Sequence, residues 1–262
     1  MVLRCVVGAL SAAAVSHACA GVYGTSVESY APGTGVNPSY TSASSAIGEP
    51  TRFTGVGAFP GAVTPFNPAY MTDEVVQIGR GGHLTVKFDH AVIDDPANPY
   101  GVDLLVFGNS FYSDPTYPAG IAAALFAGGG RVEVSADGVD WRPVPIVAAD
   151  GAFPTLGYSD LTDPYSVFPG SVHSDFTRPV DPAFNAIGKS FAQISAAYSG
   201  SGGGSGIDLA GVGLSSAWYV RVSTDLNSPT IPSIDGFSDV APAPGTLVIA
   251  VIVGALAARQ RR

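Results

Sequence analysis

The sequence predicts an all-β chain folded as an antiparallel β-sandwich, and three observations carry that expectation. Apolar and polar residues alternate with period two in several short runs, as a strand with one face in the core requires. Gly 33 and Pro 21 are an unusually large share of 262 residues while charged residues are only 13%, so turns must be frequent. The strand-like runs are divided by turn residues rather than by long helical patterns, which argues against an alternating parallel sheet.

The first segment, MVLRCVVGALSAAAVSHACA, has a short positive region at Arg4 and an apolar run from Val6 to Val15. Ala18, Cys19 and Ala20 form a small-x-small cleavage site, so residues 1–20 read as a secretory signal peptide. A lipoprotein signal ending at Cys19 fits less well, because Ser16 and His17 stand where an aliphatic and then a small residue are expected. Cleavage after Ala20 removes Cys5 and Cys19, the only cysteines. A domain exported without disulfides must be stabilised by core packing, to which a bound metal can add.

The body, residues 21–240, begins with a stretch to residue 82 that is rich in Gly, Ser, Thr, Pro and Tyr and reads as loops and short strands. In LTVKFDHAVI, Leu84, Val86 and Phe88 alternate with Thr85, Lys87 and Asp89, the pattern of a half-buried strand. DLLVF, residues 103–107, is continuously apolar and reads as a central strand. RVEVSADGVDWRPVPIV places Asp137 and Gly138 between two alternating runs, which predicts a hairpin with a type I′ turn. GSGGGSG reads as a flexible loop, GIDLAGVGL as a brief helix or turn, and AWYVRVST and SIDGFSDV as the late strands. Many short antiparallel strands of this kind suggest a jelly roll. The last of them, with Ile234, Asp235, Gly236 and Phe237 leading to Val240, resembles the closing strand of galactose-binding-like domains.

The final segment, residues 241–262, has a proline turn, a short apolar helix and a basic stop. From Leu247 to Ala258 the chain is apolar, about 18 Å long as a helix against a hydrocarbon core of about 30 Å. Arg259, Arg261 and Arg262 would stay on the cytoplasmic side during export. This layout resembles the PEP-CTERM sorting signal of exported bacterial proteins, with the motif reading Pro242, Ala243, Pro244, Gly245, so that alanine replaces the family's glutamate. The resemblance implies an exosortase-like processing enzyme as partner and a membrane anchor before processing. If the glutamate is required, the tail remains a plain anchor. The fragments DPANPYGVDLLVFGNSFY, VEVSADGVDW, FPTLGY, DFTRPVDP and GSGGGSGIDLAGVGL are similar to the body of surface proteins carrying such tails, which implies location and a sandwich but no activity.

Removing both ends takes away Arg4, Arg259, Arg261 and Arg262 and no acidic residue, leaving 8 basic against 21 acidic side chains. Nucleic acid and anionic lipid are poor partners for so acidic a body, whereas divalent cations and neutral extracellular polysaccharide suit it. No serine stands in a G-x-S-x-G frame, and only His83, His90 and His173 remain after cleavage, so a hydrolase triad is not expected. Gly188, Lys189 and Ser190 lack the earlier glycine of a phosphate loop, Ala183 standing in its place. In DDPANPYGVD, the hard oxygens of Asp94, Asp95, Asn98 and Asp103 cluster around a turn and suit Ca²⁺, the alternative being an Asx-rich turn that caps its own backbone. Zinc is disfavoured, since His83 and His90 should face opposite sides of a strand.

Glycan binding needs exposed aromatics; Trp141, just beyond the Asp137-Gly138 turn, is the candidate, while Trp218 on a late strand should be buried. The sequence therefore reads as an exported, non-enzymatic surface or matrix module that associates with glycan. The alternative is an extracellular polysaccharide-active enzyme of glycoside hydrolase or lyase type, which would need a convergent carboxylate pair.

Overall fold

A computed structural model describes residues 21–241. The cleavage residues Ala18 and Ala20, the motif Pro242, Ala243, Pro244, Gly245 and the basic stop Arg259, Arg261 and Arg262 lie outside the described residues.

The described chain opens with β1 (Ser26–Ala31) and the short strands β2 (Phe53–Thr54), β3 (Gly61–Ala62) and β4 (Val76–Gln77). It continues through β5 (His83–Ile93), β6 (Leu104–Gly108), β7 (Phe111–Tyr112), β8 (Leu125–Phe126), β9 (Gly129–Ser135) and β10 (Arg142–Asp150). A long irregular stretch then leads to the single α-helix among the described residues, α1 (Phe191–Tyr198). The chain closes with β11 (Ser205–Ile207), β12 (Ser216–Ser223) and β13 (Ser233–Asp239).

Every pairing between these strands is antiparallel. A five-stranded sheet has the order β1-β5-β12-β9-β10, and a four-stranded sheet the order β11-β6-β13-β4. One core draws on both: Leu84, Val86, Phe88, Val132, Val134, Val220 and Val222 from the first, Val76, Leu104, Val106, Ile207, Ile234 and Phe237 from the second. The alternation in β5 buries Leu84, Val86 and Phe88 as expected, and β6 is buried at all five positions because it lies inside its sheet. A second cluster, Phe66, Tyr112, Leu156, Phe191, Ile194 and Tyr198 among its members, packs α1 against the irregular stretch.

Three local features differ from the sequence reading. The β9–β10 hairpin forms, but its connection is not a type I′ turn: Gly138 has φ +78 while Asp137 is not in the left-handed region. Six residues, 136–141, join the strands instead, and the Asp137 carboxylate accepts from the Val139 and Asp140 N–H groups at 2.8 and 2.9 Å, an Asx turn that replaces the tight one. The glycine run is not a flexible loop, since residues 201–205 are all buried. A Cβ on Gly202 would lie 2.0 Å from the Phe176 ring, and one on Gly203 2.5 Å from the Pro154 carbonyl oxygen. Those glycines admit close neighbours, which is a packing role. Finally, α1 forms where no helix was expected: the Ser190 hydroxyl accepts from Gln193 N–H and the Gln193 side chain accepts from Ser190 N–H, a capping box ahead of FAQISAAY.

Candidate metal centre

Three strand ends converge at one edge of the molecule. Asp94 directly follows β5, Asp103 directly precedes β6, and Asp208 directly follows β11. β6 and β11 are paired with Leu104 opposite Ile207, and Asp103 N–H donates to the Ile207 carbonyl at 2.8 Å, so antiparallel register alone brings Asp103 and Asp208 together. Asp94 is held from the other sheet by its N–H bond to the Ser215 carbonyl at 3.0 Å.

One carboxylate oxygen from each of Asp94, Asp103 and Asp208 lies within 4.8 Å of the others, and the group could hold a metal ion. An ion 2.3 to 2.6 Å from each oxygen needs them no more than about 5 Å apart, so the spacing fits a single hard cation. Asp103 is fully buried, Asp94 half-buried and Asp208 exposed, which leaves the group open to solvent on one side. Among the described residues, no Lys, Arg or His pairs with any of the three.

Asp103 is positioned by three donors. Its Oδ1 accepts from Asp95 N–H at 3.1 Å and the Asn98 side-chain amide at 2.9 Å, and its Oδ2 accepts from Leu209 N–H at 2.9 Å. Burial nevertheless holds the Asp103 carboxyl above its ordinary range; those donors pull it down, and the Asp94 charge adds to the upward push. Asn98 is itself buried; its nitrogen donates to Asp103, and its Oδ1 has no hydrogen-bond partner among the described residues. An orphaned acceptor on an amide that touches a buried carboxylate is what a cation nearby would relieve.

The structure thus brings together two of the four expected acidic-loop residues, Asp94 and Asp103, and adds Asp208. Asp95 is not in the group: its Oδ1 accepts from Ala97 N–H at 2.8 Å in a local Asx turn, and its backbone serves Asp103. Asn98 stands behind Asp103 as a supporting residue. Sequence reasoning missed Asp208 because its only link to the others is strand pairing, not spacing.

Trp141 is half-buried rather than free. The Arg221 guanidinium covers its ring at 3.7 Å from the centroid, and Tyr219 sits edge-on at 6.5 Å. Trp218 is likewise half-buried, not enclosed. His90 bridges Asp89 and Asp239 at 2.8 and 2.9 Å, joining β5 of one sheet to β13 of the other. No protein-family model matches the chain, and no curated protein matches it in sequence.

Proposed function

We propose that the chain is an exported, non-enzymatic surface module, a jelly-roll sandwich of the galactose-binding-like kind, fastened by a structural Ca²⁺ and associating with extracellular glycan. The carboxylate group of Asp94, Asp103 and Asp208 carries this reading, backed by the orphaned Asn98 Oδ1. All the donors are hard oxygens, which favours Ca²⁺ over metals that prefer nitrogen or sulfur. The ligands come from strand ends of both sheets, so Ca²⁺ would cross-link the sandwich where a disulfide is lacking. Signal peptide and PEP-CTERM-like tail support export and sorting by an exosortase-like enzyme, with the apolar run 247–258 as the membrane anchor.

The test is calorimetry of the full chain in mild detergent, with Ca²⁺ or with chelator, alongside elemental analysis. Chelation should lower the melting temperature by several degrees, and Asp208→Asn should abolish that difference. An unchanged melting temperature with no bound metal overturns the site. Incubation with polysaccharide separates the two functional classes: retention without shortening fits a binding module, and release of reducing ends fits a polysaccharide-active enzyme instead.

A further inference from the structure

Between the β7–β8 hairpin and the loop leading into β13 lies a groove of about 380 Å³, lined in part by Arg80, Asn109, Phe111, Phe126, Asp150 and Thr230. Its apolar wall is the cross-strand pair Phe111 and Phe126, whose rings stack 5.2 Å apart and 12° from parallel. Phe126 remains 54% exposed. A two-stranded ribbon that presents stacked aromatics beside polar groups offers one flat apolar face and hydrogen bonding within the same small cleft.

The polar side is preorganised. Arg80 is fixed by Nε donating to the Ser228 carbonyl at 2.7 Å and Nη2 to the Pro229 carbonyl at 3.4 Å, and no carboxylate neutralises it among the described residues. Asn109 commits its backbone N–H to the Ser233 carbonyl at 3.2 Å, and its side-chain amide makes no hydrogen bond among the described residues. Asp150 is buried, with Oδ2 accepting from Gly128 N–H at 3.1 Å and Ser233 N–H at 3.2 Å, while Oδ1 has no partner. A Cβ on Gly108 would stand 2.5 Å from Oδ1 and one on Gly128 2.6 Å from Oδ2, so glycine at both positions makes room for the carboxylate. Burial also drives the Asp150 carboxyl up to about 6.

One cation, one buried acid, a free amide and an aromatic face select against highly charged polymers and for a neutral ring that bears both hydroxyls and an apolar C–H face. We propose that this groove binds a neutral hexopyranose unit of an extracellular glycan, with Phe126 stacked on the sugar ring and Asn109 and Arg80 hydrogen-bonding its hydroxyls. The inference rests on the glycan-associating reading above and gives it a location.

The test uses the full chain and two soluble neutral polymers, a β-glucan and a galactan, in isothermal titration calorimetry. At least one should bind, Phe126→Ala should weaken that binding about tenfold, and Asn109→Ala should weaken it severalfold, with melting temperature and Ca²⁺ response unchanged. Both substitutions lie on the groove wall and outside the two-sheet core, and the melting temperature reports any loss of folding. If the wild type binds and both variants bind equally well, the groove is refuted while the glycan-associating reading stands. If the wild type binds neither polymer, that reading falls and the groove with it.

Discussion

Replacing Asp235 by Asn should make the protein more stable at alkaline pH and flatten its pH dependence. Asp235 sits in the middle of β13, buried at 2% exposure, and its carboxylate meets only Thr51, whose N–H and hydroxyl reach Oδ2 and Oδ1 at 2.9 and 2.8 Å. Burial raises its pKa from 3.8 to about 7, the Thr51 bonds pull it down, and the charge of Glu74 adds to the rise. Because the folded value lies above the unfolded one, the stabilising proton is held fully below pH 3.8 and lost as pH rises through about 7. At about 1.4 kcal/mol per pH unit the full effect is about 4 kcal/mol, of which more than half falls between pH 5 and pH 8. An amide keeps both contacts: its oxygen accepts from Thr51 N–H, and its nitrogen donates to the Thr51 hydroxyl, which can turn to accept. Urea unfolding of wild type and Asp235→Asn, followed by tryptophan fluorescence at pH 5, 6, 7 and 8, measures the difference directly. The variant should gain on the wild type by about 2 to 3 kcal/mol across that range. A gap that stays constant with pH, or a variant weaker at pH 8 than at pH 5 relative to wild type, would refute the reasoning.

Burial tends to lower the His90 pKa, but its bonds to Asp89 and Asp239 outweigh this and raise it above 6.5, so its contribution to stability is present in full below pH 6.5 and is lost as pH rises through the folded value. An imidazole titration by NMR should therefore give a midpoint above 6.5, and His90→Gln should remove that part of the pH dependence; a midpoint below 6.5 contradicts the bridge. Ile146 is a β-branched residue at φ +70 with a fully exposed side chain in the bulge of β10, so Ile146→Gly should stabilise the fold by about 1 kcal/mol in urea unfolding. Gly202→Ala should destabilise by about 2 kcal/mol or more, because the new methyl group meets the Phe176 ring; a neutral result in the same assay would mean that the ring moves aside at no cost.

The strands were legible because burial on one face leaves a period-two mark in the sequence. Leu84, Val86 and Phe88 declare their face whatever strand lies beside them. The turn at Asp137-Gly138 was half legible: the residues mark a reversal, but whether two or six residues make it depends on the Asp137 side chain capping Val139 and Asp140. The glycine run could not be read at all from composition, because a glycine that gives freedom and a glycine that gives proximity both lack Cβ. Only Phe176 and Pro154, far away in the chain, show that Gly202 and Gly203 are of the second kind.

The candidate metal centre divides along the same line. Asp94 and Asp103 share one loop, so their proximity is a local fact that spacing conveys, whereas Asp208 enters through the pairing of β11 with β6. Spacing also drew in Asp95, whose carboxylate the Ala97 N–H claims first. Local acids thus compete between capping their own turn and facing outward, and strand register decides the outcome by delivering a third carboxylate opposite two of them. Of the three, Asp94 follows β5 of the five-stranded sheet, while Asp103 and Asp208 flank the paired strands β6 and β11 of the four-stranded one. Asp208, exposed and fixed by Gly211 N–H at 3.1 Å, is the member that the acidic loop does not itself supply, and its loss separates a three-carboxylate group from an acidic turn.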